Sequence, residues 1–201
     1  MNASVRNGSR LAWAALRALL VLTLVTGVLY PLLVTGIAQA AFRGQADGSL
    51  VRSGGKNVGS SLIGQTWNGK GGNPAPQWFQ PRPSAGDYDA LASGASNLAA
   101  TSPELRKEVE ARKTRIADFN NVPRSDVPAD AVTASASGLD PDISPAYARI
   151  QADRVAEARH LDPAAVRALV ERHTQGRIAG LLGEPTVNVL ELNLDLRELH
   201  D

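Results

Sequence analysis

Between Arg17 and Arg43 the chain carries no Asp, Glu, Lys or Arg, and apolar side chains fill most of the run. As a helix of ~1.5 Å rise per residue, residues 18–42 reach roughly 37 Å, enough to cross a hydrocarbon core of ~30 Å with some tilt. A helix is expected there because, away from water, every backbone N–H and C=O must find its partner inside the segment. Beyond the run the pattern breaks into short apolar pieces. From 44 to 83, Ser49-Leu50-Val51, Ser61-Leu62-Ile63 and the aromatics Trp67, Trp78 and Phe79 stand among Gly, Asn, Ser and Pro, which predicts short strands and turns, with a loop at 69–74. Thr101-Ser102-Pro103-Glu104 opens a helix, with Thr101 as cap, Glu104 closing a capping box and Pro103 tolerated in the first turn. Leu105, Val109 and Ile116 share its apolar face, and it ends before Pro123. Ser144-Pro145 and Asp162-Pro163 start two more helices, anchored by Ile150 and Val155 and by Val166, Leu169 and Val170, the second ending near Gly176. After Pro185, Leu190, Leu192, Leu194 and Leu196 alternate with polar neighbours and follow Val187 and Val189, a strand period in which only the last residues turn helical as the alternative.

These elements predict an α+β fold class: one N-terminal transmembrane helix followed by a single mixed extracytoplasmic domain. The organisation expected is 1–17 cytoplasmic, 18–42 in the membrane and 43–201 outside. Arg6, Arg10 and Arg17 precede the span without an acidic residue, which favours a cytoplasmic N-terminus, although Arg43, Arg52 and Lys56 beyond it reduce the asymmetry. A cleaved secretory signal is the rival reading, since Ala38-Gln39-Ala40 has the small-x-small pattern of a cleavage site. The run exceeds the ~7–15 residues of a signal core and holds Pro31 in its middle, which favours the anchor. Inside the span Thr23, Gly27, Pro31 and Thr35 recur every four residues. Two readings fit this row: small side chains that admit a partner helix, or the general frequency of Gly and Pro in membrane helices. An ideal helix turns such a row by ~40° per step, so only neighbouring members share a face.

Charge narrows the partners. All 20 acidic residues lie beyond the span but only 18 of the 21 basic ones do, leaving the outer part near −2 and without the basic surface that nucleic acid requires. With no cysteine, neither disulfides nor thiolate metal sites are available. Gly55-Lys56 lacks the following Ser or Thr of a phosphate loop, and no Gly-x-Ser-x-Gly elbow accompanies the Ser135 or Ser137, Asp140 and His160, His173 or His200 that a hydrolase would need. No cofactor of its own and no metal site are expected. The block 132–145, VTASASGLDPDISP, is small and hydroxyl-bearing; it reads as a contact surface for another chain or ligand through Ser135, Ser137 and Gly138, or as a tight strand-to-helix connection.

The chain resembles the C subunit of the Kdp potassium-transporting ATPase of bacteria, from end to end. The resemblance rests on Gly27-Val28-Leu29-Tyr30-Pro31-Leu32, NVGSSLIGQ at 57–65, Trp78-Phe79, Arg82-Pro83-Ser84-Ala85, Ser93-Gly94-Ala95-Ser96-Asn97-Leu98, the 132–145 block, Gln151, Arg154-Val155-Ala156 and VNVLELN at 187–193. Ala95 departs from the second Gly of that pattern. The resemblance implies a non-catalytic subunit held in the cell membrane, whose partners are a channel-like potassium-translocating subunit, an ATP-hydrolysing P-type subunit and the lipid bilayer. It also implies a catalytic chaperone that raises the ATP affinity of the hydrolysing subunit, with ATP met only through the complex and Gln151 as the residue proposed to touch nucleotide. A purely structural subunit at the ion entrance is the alternative. The topology read from the arginines puts Gln151 on the side opposite cytoplasmic ATP. An isolated anchored or secreted binding module and an anchored hydrolase are readings of other classes that the residues leave open.

Overall fold

The computed structural model describes residues 3–199, with side chains described from Gly8 onward, so His200 lies outside the described residues. The chain forms two compact units, Met1–Ser49 and Leu50–Asp201.

In the first unit α1 (Ala3–Leu24), a π-turn (Val25–Leu29) and α2 (Tyr30–Ala41) run on as one helix, followed by the single turn α3 (Arg43–Ala46). Gly8–Ala41, 34 residues, is the one helix among the described residues long and apolar enough to cross a membrane. Leu19, Leu22, Leu32 and Leu33 are all exposed on it, as suits a helix whose covering is lipid or another protein.

The second unit opens with a hairpin, β1 (Leu50–Ser53) and β2 (Lys56–Ser60), joined by Gly54-Gly55 with φ of +57° and +76°. Two consecutive positive φ angles make the turn whose twist matches antiparallel strands, and glycine takes them without a Cβ clash. That two-residue turn sets Ser53 against Lys56 and Arg52 against Asn57, and a bulge then shifts the register by one, so that Leu50 faces Ser60. It also explains why the strand lies before Ser61-Leu62-Ile63, which is a turn in which Leu62 N–H donates to Ser60 Oγ.

After a long irregular segment come α4 (Pro103–Asn120), a 3₁₀ turn (Arg124–Asp126), α5 (Ala129–Val132), β3 (Asp142–Ile143), α6 (Pro145–Arg159), α7 (Pro163–Arg172), β4 (Thr174–Gln175), β5 (Thr186–Asn188) and α8 (Val189–Glu198). The three short strands form an antiparallel sheet in the order β3-β5-β4. The core gathers Ala148, Ala152 and Val155 of α6, Val166, Leu169 and Val170 of α7, Leu192 and Leu196 of α8, Val187 of β5 and Phe79. Alanines on α6 let α7 approach closely, so the two helices make the most extensive contact in the unit.

Ser144 and Asp162 cap α6 and α7 as expected, their side chains accepting the N–H groups of Tyr147 and Ala164. Three expectations need correction. The cap of α4 is Ser102, accepting from Leu105 N–H, because Pro103 takes the first helical position and leaves its predecessor as cap. α7 stops at Arg172, since Thr174 already pairs with Val187 in the sheet. The C-terminal segment is a strand only over Thr186–Asn188 and then a helix. Asn188 Oδ1 accepts from Glu191 N–H at 3.2 Å, and the helix buries Val189, Leu192, Asn193 and Leu196 along one face. The alternating leucines are good helix formers, and the cap overrides their period of two.

Candidate functional site

The π-turn lies directly before Pro31. Proline has no N–H to donate and its ring crowds the carbonyl four residues back, so the preceding turn widens: Tyr30 N–H reaches Val25 O, five residues away. Thr26 Oγ donates to Leu22 O at 2.7 Å. One extra residue in a turn sets the helix faces back by roughly 100°, against the roughly 80° of drift gained over two four-residue steps. Thr23 and Pro31 therefore return close to one face, which the ideal-helix estimate denied them. A Cβ on Gly27 would meet only Thr23 Cγ2, at 3.9 Å, so the surface beside Gly27 is open to an approaching helix.

In the second unit Gln151 is fully buried. Its Oε1 accepts from Gln80 N–H at 2.7 Å and its Nε2 donates to Gln80 O at 3.1 Å. Asn193, on α8, does the same for the neighbouring residue: Oδ1 accepts from Phe79 N–H and Nδ2 donates to Phe79 O, both at 2.9 Å. Two helix side chains thus supply the paired bonds that a neighbouring strand would give to an irregular segment, which satisfies buried peptide groups that would otherwise be orphaned. Gln80 locks the same segment from within, its amide donating to the carbonyls of Trp67, Ala75 and Trp78. Arg154 completes the cluster. Its guanidinium donates to Gln151 Oε1, Asn120 Oδ1, Trp78 O and Pro76 O and lies 4.4 Å from the Phe119 ring centroid, with no ion pair among the described residues. Burial lowers its pKa to about 10, so it stays charged at neutral pH. Beside it Arg159 covers the Trp78 ring at 4.9 Å, and Trp78 packs on Trp67.

The 132–145 block is engaged with the domain itself. Ser135 is buried, and its Oγ accepts from Gly138 N–H and Asp140 N–H at 3.1 and 3.3 Å. Ser137 is exposed; its Oγ accepts from Leu139 N–H and its carbonyl from Gly94 N–H and Ser93 Oγ. Gly138 has φ +71°, and Ser84 Oγ donates to its carbonyl at 2.8 Å. Arg82 pairs with Asp140 at 2.7 Å and Tyr88 OH donates to Arg82 O. Of the described histidines, His160 is the exposed left-handed cap of α6 and His173 bonds Asp195 at 2.8 Å; neither is hydrogen-bonded to Ser135 or Ser137. Between β4 and β5, Ile178, Leu181 and Leu182 project into solvent above an Arg177–Glu184 ion pair.

Comparison with known proteins decides the family. The model of the family described as K+-transporting ATPase, c chain, matches residues 12–198. The chain belongs to the KdpC family. A Potassium-transporting ATPase KdpC subunit of Streptomyces avermitilis is 52% identical over 99% of this chain and 98% of its own. Those of Streptomyces coelicolor and Sorangium cellulosum are 50% and 54% identical, over 99% and 90% of this chain and 97% and 94% of theirs. In the fold, the blocks that carry the resemblance bond to one another across long stretches of sequence. Asn193 holds Phe79, Arg82 holds Asp140, Ser84 holds Gly138, and Asn188 Nδ2 donates to Ser61 O. Ala95, the departure from the family pattern, has no positive φ, so the position does not require glycine.

Sequence reading singled out Gln151 but not Gln80, whose backbone it holds, nor Asn193, which does the same for Phe79, because an amide carries no local sign of a distant peptide group. Asp142 is a further such residue. Burial, then the neighbouring Asp140 carboxylate, push it above the ordinary carboxylate range, against a bond from Asn188 Nδ2. A carboxyl raised in the folded state adds stability at low pH and loses it as pH rises through the folded value. Asp142→Asn keeps an acceptor for Asn188 and removes the charge. It is expected to raise the thermal midpoint at neutral pH and to leave it unchanged in acid, where the aspartate is already protonated. Melts that shift equally at both would overturn the assignment.

Proposed function

We propose that this KdpC-family chain is the non-catalytic subunit of an ATP-driven potassium uptake pump. It docks through its membrane helix and outer surface onto a channel-like and an ATP-hydrolysing subunit, with its N-terminus cytoplasmic and its second unit outside. There it raises the ATP affinity of the hydrolysing subunit by favouring one conformation of the complex through differential contacts. The observation that supports an indirect route is the state of Gln151. Both polar atoms of its amide are bonded within a buried network, so a direct nucleotide contact would first have to break the clamp on Gln80. Gln151 acts in this reading as a positioning residue. The open face at Gly27 and the projecting Ile178, Leu181 and Leu182 are surfaces suited to assembly.

The test measures ATP affinity of the assembled pump with the chain, without it, and with Gln151→Ala. Removal is expected to weaken ATP binding by roughly 5–150-fold, the usual range of allosteric coupling. Gln151→Ala is expected to weaken it only in proportion to the fold stability it loses. Unchanged affinity on removal would leave a purely structural subunit. Full loss in a Gln151→Ala chain that remains folded and assembled would restore the direct contact.

A further inference from the structure

A cleft of about 460 Å³ opens on the second unit between the segment from Pro81 to Ser84 and the side of α4. That volume lies within the range of small-molecule sites. Its lining carries three arginines, Arg82, Arg112 and Arg115, against one carboxylate, Asp87, and sets them beside Phe119, Ile116 and prolines. Arg112 is bonded to Glu108 and to Val132 O. Arg115 has no ion pair among the described residues, and the Nε of Arg82 is buried without a hydrogen-bond partner although its NH1 holds Asp140.

Tyr147 adds a second, independent sign. It lines the cleft, is only 3% exposed, and its hydroxyl makes no hydrogen bond among the described residues. A phenol whose ring is buried but whose hydroxyl reaches the cleft with no protein partner is free to donate to whatever occupies the cleft. Burial pushes the Tyr147 phenol well above its ordinary range, so it remains a neutral donor.

We infer that this cleft binds a small organic anion, a carboxylate or phosphate head on an apolar body, with Tyr147 and Arg115 donating to the head and Phe119 and Ile116 packing against the body. A charged head accepting from a guanidinium and a hydroxyl makes short, charge-assisted bonds, and Arg115 is the cation open to it, since Arg82 and Arg112 already hold Asp140 and Glu108. An apolar body fits because Ile116, Phe119 and the prolines line the cleft beside the arginines. The inference is independent of the nucleotide question and of the pump's assembly.

The experiment titrates the full chain in detergent micelles with phenylphosphate, phenylacetate and inorganic phosphate by calorimetry. One of the two phenyl compounds is expected to bind saturably and at least tenfold more tightly than inorganic phosphate; which one identifies the head as phosphate or carboxylate. Tyr147→Phe and Arg115→Gln are each expected to weaken that binding at least tenfold without moving the unfolding midpoint. Arg115 is exposed, so its variant reports on binding even where the Tyr147 variant perturbs packing. No saturable binding by either phenyl compound, binding unchanged in the Arg115 variant, or inorganic phosphate binding as tightly as the phenyl compounds would overturn the proposal.

Discussion

Arg154→Ala is expected to lower the unfolding free energy of the chain by about 3–5 kcal/mol, the range for breaking a buried charged network. Arg154 is 9% exposed, and its guanidinium donates to four acceptors on three separate parts of the fold: the segment at Pro76 and Trp78, Asn120 at the end of α4, and Gln151 on its own helix. Truncation leaves those acceptors facing a void, and each buried acceptor without a donor costs about 1–3 kcal/mol, less where water enters. The loss is larger than that of a typical surface ion pair because little solvent screens the buried guanidinium. Arg154→Lys should recover only part of the loss, since one ammonium cannot reach acceptors spread around a planar fork. Denaturant unfolding of the full chain in micelles measures the cost, and tryptophan emission reports it locally because Trp67 and Trp78 sit on the segment Arg154 holds. A loss below about 1 kcal/mol, within the range of surface substitutions, would show that the network adds little to the fold.

The same cluster explains which parts of the fold were legible. Caps at Ser144 and Asp162 could be read because the acceptor and the N–H it serves are two or three residues apart. The pairing of Gln80 with Gln151 spans 71 residues and that of Phe79 with Asn193 spans 114, and neither amide differs in sequence from one on a surface. The segment around Phe79 was read as strand and turn. It has the hydrogen bonding of a strand, but its partners are side chains. The end of the chain misled for a different reason: alternating leucines suit a strand, whereas Asn188 followed by Glu191 is a helix start. The capping bond decided it, because a helix begun at Val189 buries Leu192 and Leu196 on one face as well as a strand would and satisfies its own backbone. In the apolar helix the row of Thr23, Gly27, Pro31 and Thr35 was visible in the sequence but its geometry was not. Pro31 was known to disturb a helix; that the disturbance would realign the row needed the π-turn.

Gly138→Ala is expected to cost about 3 kcal/mol, combining a left-handed backbone penalty of roughly 1–2 kcal/mol with lost hydrogen bonds of roughly 0.5–1.5 kcal/mol each. Gly138 has φ +71°, and a Cβ there would stand 2.7 Å from Gly94 O, a backbone atom with no rotamer to yield. Relief requires the segments at 93–94 and 137–138 to part. That stretches the bonds from Gly94 N–H and Ser93 Oγ to Ser137 O, each 2.9 Å, and the bond from Ser84 Oγ to Gly138 O. Ser137→Ala is the control, since its hydroxyl is exposed and its carbonyl, which makes the inter-segment bonds, is retained; it should cost under about 1 kcal/mol. Equal denaturation midpoints for the two variants would mean that the contact is loose. Unequal midpoints would assign Gly138 to joining two parts of the domain, and because Ser84 and Arg82 stand on the same edge of the cleft, the Gly138 variant should also weaken anion binding there. A glycine singled out as a contact for another chain would then act first on its own: it fixes the wall against which a ligand is held.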